Sequence, residues 1–161
     1  MKEQQTTSSS PTDETIDDAL EKFFNGEKTL AEAQNIDPKV INFAAQQAGL
    51  FFEQGKLDEA EKIYRGLFAI HPKESYFPMA LGLVSQQRQK YQEAYVWYEI
   101  ALKKAPDNFL IHTYLGEVLI VLERLQEAKE HLEKGITLAP DKDHPTVQRG
   151  TLIYQGLLKH T

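Results

Sequence analysis

Acid–base and metal chemistry in this sequence would fall first to its five histidines, His71, His112, His131, His144 and His160. Their spacing matches no pattern of metal ligands. Asp141, Asp143 and His144 could meet a metal, but they stand just before Pro145, where acidic and polar side chains read as a solvated helix start. Ser75 and Ser85 have no neighbouring base to activate them. No GxxxxGK[ST] segment is present to cradle a phosphate. The chain has no cysteine, so it can form no disulfide, thiol nucleophile, zinc–thiolate site or iron–sulfur cluster. The sequence therefore predicts no enzyme, no metal site and no cofactor. What remains is non-covalent grip by amide, apolar and aromatic side chains, which requires a scaffold to align them.

That scaffold is written as a repeat. Pro72, Pro106 and Pro140 recur every 34 residues. So do Ala60, Ala94 and Ala128; Leu57, Tyr91 and Leu125; Tyr64, Tyr98 and Leu132; and the small residues Ala48, Gly82 and Gly116. This period and these columns resemble the tetratricopeptide repeat, a helix–turn–helix unit. The small residues let the two helices of a hairpin approach, and the large ones, with Phe51, Leu81 and Leu115, fill the space between. Each proline ends a helix, since it lacks an N–H and disfavours helix in the residue before it. Helices are predicted near 40–53, 57–70, 74–87, 91–104, 108–121 and 125–138. Gly55 suits a left-handed hairpin turn; Gln89 and Glu123 stand at the same place later, which implies a different turn or strain. After Pro140, the stripe Val147, Leu152, Ile153, Leu157 and Leu158 predicts one more helix, with Gly150 next in the small-residue column. The fold class is all-α: a solenoid of three repeats (41–74, 75–108 and 109–142 by register, within 37–140) closed by a capping helix in 141–161.

The first 36 residues are different. The polar run MKEQQTTSSSPT over 1–12 reads as a disordered tail. Residues 1–40 hold 4 Lys and 9 Asp or Glu, so most of the chain's formal charge of −6 sits there. Ile16, Leu20, Phe23 and Phe24 form one helical face in 13–36. That face either caps the first repeat or forms a dimerisation surface. The acidic balance argues against nucleic acid as a partner. No apolar run is long enough to insert in a membrane, and the default location is a cytoplasm.

By the repeat register, the concave face is lined by the first helix of each hairpin. Its positions are Asn42, Ala45, Gly49 and Phe52 in repeat one; Tyr76, Met79, Leu83 and Gln86 in repeat two; and Leu110, Thr113, Glu117 and Ile120 in repeat three. Leu110 and Ile120 read more as core than as groove. The rest form a mostly apolar peptide-binding groove with amides at its margins, suited to apolar anchors with main-chain groups held by Asn and Gln. Repeats of the carboxylate-gripping co-chaperone type carry Lys and Asn where this chain has Ala45 and Gly49, so an acidic C-terminus is not the expected ligand.

The order of parts resembles the class II chaperones of bacterial type III secretion. The residues that carry the resemblance are Phe24-Asn25-Gly26-Glu27-Lys28-Thr29-Leu30, the run from Phe52 to Glu61, Ala80-Leu81-Gly82 and Tyr91-Gln92-Glu93-Ala94. The resemblance spans about residues 13–158. It implies a non-enzymatic bacterial cytoplasmic chaperone that keeps secreted, membrane-inserting translocator proteins soluble and apart before export. Such proteins grip a Pro- and Leu-containing client segment in the groove and often form homodimers through their N-terminal helices. Family members usually carry aromatic rings where this chain has Ala45 and Gly49, which implies a wider first pocket here and bulkier client anchors. The three regular prolines keep a general repeat scaffold, joining other proteins in an assembly, as the alternative.

Overall fold

The structure is a computed structural model that describes residues 37–159. The polar tail, the Ile16/Leu20/Phe23/Phe24 stripe and the connector to residue 36 lie outside the described residues.

Among the described residues the chain forms helices only: α1 (Pro38–Glu53), α2 (Leu57–Ile70), α3 (Tyr76–Gln87), α4 (Tyr91–Lys104), α5 (Phe109–Val121), α6 (Leu125–Leu138) and α7 (Pro145–Lys159). These follow the predicted segments within two residues at each end. Asp37 starts α1 by accepting the Lys39 N–H at 2.8 Å, with Pro38 in the first turn, where its missing N–H costs nothing. Asn108 starts α5 in the same way, its side chain accepting from the Leu110 and Ile111 amides. Helices α2, α4 and α6 end one residue before His71, Ala105 and Ala139. Each of those caps precedes a repeat proline, which keeps it out of helical conformation.

The hairpin turns decide between the two alternatives left by the sequence, a different turn or strain, in favour of strain. Gln89 and Glu123 both have φ of 60°, close to the 74° of Gly55. All three turns close identically. Lys56 N–H donates to Phe51 O at 2.8 Å, Lys90 to Ser85 O at 2.9 Å and Arg124 to Leu119 O at 2.9 Å. This is the Schellman closure of a helix end. The later turns are thus the same turn as the first, with two non-glycine residues held in the left-handed region that suits glycine.

Hairpins α1–α2, α3–α4 and α5–α6 stack so that each second helix meets the next first helix. One core cluster joins α1, α2 and α3 around Ala48, Tyr64, Leu67 and Leu81. The other joins α3 to α6 around Ala94, Tyr98, Leu115 and Leu119. Burying a side chain of this size stabilises by about 1.5–3 kcal/mol. The small-residue column sets the hairpin spacing. A Cβ on Gly116 would stand 2.6 Å from Leu132 Cγ, and one on Gly82 would overlap the Tyr98 ring. Helix α7 packs on α5 and α6, with Thr146, Val147 and Gly150 buried, and so covers the end of repeat three.

On the outer side, successive repeats are joined through arginines. Arg88, in the second turn, pairs with Asp58 and Glu61 of α2. Arg65 of α2 lies 5.1 Å from the Trp97 ring of α4, and Trp97 meets Phe68 edge-on. Arg124, in the third turn, covers Tyr95 of α4 at 4.5 Å. Trp97 is therefore explained by inter-repeat packing.

Candidate functional site

The inner surface is built from the first helices, as the repeat register expects. Helix α3 touches α5, and α5 touches α7. Between α1 and α3 the surface opens instead into a pocket of about 520 Å³. Asn42, Ala45, Gln46 and Gly49 form its α1 wall, one stripe at helical spacing. Tyr76 and Phe77 form the α3 wall, with Glu74 at the rim. The pocket is wide because Ala45 and Gly49 project almost nothing into it. A Cβ on Gly49 would still stand 3.7 Å from Tyr64 Oη, ordinary van der Waals contact. The rings at its base meet at steep angles: Tyr64 and Tyr76 at 75° with centroids 6.1 Å apart, Tyr76 and Phe77 at 72° and 5.8 Å. Tyr76 is 43% exposed while Tyr64 and Phe77 are buried. Burial, with Tyr76 beside it, pushes the Tyr64 phenol above its ordinary range, so it stays a neutral hydroxyl.

Further along, the groove becomes polar. Tyr98 donates to Gln86 Oε1 at 2.7 Å, and the Gln86 amide reaches Glu117 at 3.5 Å. Arg149 of α7 holds the other Glu117 oxygen at 2.6 Å. Pairing with Glu117 raises the Arg149 guanidinium above its ordinary value. This chain of contacts crosses α3, α4, α5 and α7, so the capping helix contributes a charged side chain to the groove. Arg149 escaped the sequence reading because the register of α7 alone does not reveal that it faces Glu117, 32 residues earlier.

The structure thus brings Asn42, Ala45, Gly49 and Tyr76 together around one pocket, and places Gln86 and Glu117 in the polar chain. Phe52 and Leu83 are half-buried, each packed against a core cluster with part of its surface open. Met79 is buried at 8% exposure within the second core cluster. Thr113 is a correction: it is 1% exposed, and its hydroxyl donates to Phe109 O at 2.9 Å. A Cβ on Gly135 or Gly150 would press on it, so the close approach of α6 and α7 places it inside the packing and away from the groove wall. Leu110 and Ile120 pack against the second core cluster, as expected.

Among the described residues no group of three His, Asp or Glu side chains converges as a metal site. Asp141 accepts the Asp143 amide, and His144 Nδ1 accepts from the Thr146 amide; both serve the turn into α7. Among the same residues no helix is long and apolar enough to cross a membrane.

Two family models described as tetratricopeptide repeat match residues 77–108 and 113–142. The human protein O-mannosyl-transferase TMTC1 is 34% identical over 101 residues, 58% of this chain. That match spans about a tenth of the human protein (11%). The chaperone protein SicA of Salmonella typhimurium is 24% identical over 131 residues, covering 81% of this chain and 78% of SicA. Among solved structures, the Yersinia enterocolitica type III secretion chaperone SycD, in complex with a peptide of the translocator YopD, superimposes with a TM-score of 0.71 at 20% identity. It covers 79% of this chain and 99% of SycD. Over its described residues the chain is an all-α solenoid of tetratricopeptide repeats, similar over about four fifths of its length to the chaperones SicA and SycD.

Proposed function

We propose that this protein is a non-enzymatic chaperone of type III secretion. It holds a segment of a hydrophobic, membrane-inserting translocator protein in its concave groove and keeps that client soluble and apart from others before export. The observation that carries this reading is the open pocket between α1 and α3, continuous in register with the half-exposed Tyr76, Leu83 and Phe52 on the same inner helices. A surface of this kind suits an extended segment with a few buried anchors. SycD, whose structure contains a translocator peptide, supports the choice of client. The proposed location is the bacterial cytoplasm, where a translocator waits before export. The stripe Ile16, Leu20, Phe23 and Phe24 is the proposed contact of a homodimer.

Co-expression with a translocator client tests the reading. The client should move from the insoluble to the soluble fraction and co-purify with this protein. A client that remains insoluble, or that purifies apart, would reject it.

A further inference from the structure

The pocket between α1 and α3 carries more chemical information than its volume. Its exposed ring, Tyr76, stands at the corner formed with Tyr64 and Phe77. Glu74 is the charged side chain on its lining. Its carboxylate accepts the Tyr76 amide at 3.2 Å, which holds it beside the ring. Glu53 lies one turn past Gly49 on the same face of α1, just beyond the pocket's lining, and adds a second negative charge on that side. Lys73 and His71 line a neighbouring depression that meets this pocket at Glu74. The pocket's own wall is thus aromatic and amide, with the Glu74 carboxylate on its rim and Glu53 one turn beyond it.

An aromatic corner with carboxylates at its edge attracts a cation. Ring faces draw an ammonium or guanidinium through their quadrupole, and the attraction grows as the cation leaves water. Planar guanidinium can also stack on the exposed Tyr76 ring while it donates to a carboxylate. Asn42 and Gln46, on the α1 wall, offer amide oxygens for its remaining N–H groups. The geometry points to a subsite for an arginine or lysine side chain of the bound segment, beside the apolar anchors taken further along the groove. This rests on the groove being the client site. It assigns to repeat one the recognition of a basic residue.

A walked peptide series provides the test. Fluorescein-labelled decapeptides built from Pro, Leu, Ser and Gly carry one arginine at each position in turn, and each has a twin with neutral citrulline in place of arginine. At one or more positions the arginine peptide should bind about tenfold tighter by anisotropy. That ratio should fall to near unity in the Glu53→Gln, Glu74→Gln double variant, whose amides keep the shape and whose fold is checked by circular dichroism. Equal binding of the twins at every position, with Leu83→Glu weakening both, would overturn the cation subsite and leave the groove reading standing. A ratio that survives the double variant would overturn its placement in this pocket. A series in which no peptide binds would count against the groove and the subsite together.

Discussion

Gly82 of α3 lies so close to Tyr98 of α4 that a Cβ on the glycine would overlap the ring. Tyr98 is fully buried, so neither side has room to yield. Gly82→Ala should therefore destabilise by about 1–3 kcal/mol through overpacking. Gly49 provides the control. Its Cβ would meet only ordinary contact, so Gly49→Ala should be neutral or stabilise by up to about 1 kcal/mol through better helix propensity. Urea unfolding of the two variants measures the contrast. Equal effects would mean that the column of small residues does not set the hairpin spacing.

Gln89 and Glu123 hold φ of 60° in turns that glycine would make without strain. A left-handed conformation costs a side-chain-bearing residue roughly 1–2 kcal/mol, against which stands the greater unfolded-state freedom of glycine. Gln89→Gly and Glu123→Gly should each stabilise by about 0.5–1 kcal/mol. Thermal unfolding should show both melting temperatures raised. A fall in both would mean that these turns relax differently in solution.

The helices and their order were legible in the sequence because the 34-residue period fixes them many times over: each proline, small residue and large residue marks the same register. The turns at Gln89 and Glu123 were legible only as two alternatives, a different turn or strain, since residue type speaks for local preference and the closure of the helix end overrode it. Thr113 was misplaced for a different reason. The register alone does not show that Gly135 and Gly150 bring α6 and α7 close enough to enclose its side chain; Met79, at the same register position in repeat two, is buried as well. Gly150 in the small-residue column was the available signal. Arg149 was invisible because its partner Glu117 belongs to another repeat.

His112 and His131 form a neutral pair that should make stability depend on pH. Their Nδ1 atoms are 2.9 Å apart, and His112 Nε2 is 2.8 Å from Pro106 O. The carbonyl can only accept, so His112 donates to it from Nε2, and His131 donates from Nδ1 to His112. Burial lowers both histidines, His131 to about 4, where the charges of His112 and Lys134 add to the effect and Glu130 and Glu127 oppose it. Lys134 lowers His112 as well, and Asp107 and the Pro106 carbonyl oppose. Unfolded histidine titrates near pH 6.5. As pH falls from about 6.5 toward 4, the unfolded chain takes up protons that the folded pair refuses, so stability declines. The urea midpoint should be lower at pH 5 than at pH 7, and the difference should shrink in His131→Gln. A variant that loses as much stability as the parent would place the pH dependence elsewhere.

Self-association follows from the proposed dimer contact at Ile16, Leu20, Phe23 and Phe24. Light scattering of the full chain should give a dimer at tens of micromolar, and a chain starting at Asn35 should give a monomer. Monomers in both cases would leave that stripe the role of a cap on repeat one.

The central claim is that the inner surface of α1 and α3 holds the client. Leu83, half-buried on α3, is the residue at which a charge most directly opposes an apolar anchor. The decisive measurement is the affinity of the purified client segment for the parent protein and for Leu83→Glu, at a temperature where circular dichroism shows both folded. The groove predicts a loss of at least about tenfold, since an unpaired carboxylate must be buried or the anchor displaced. Undiminished affinity in the folded Leu83→Glu protein would contradict the account.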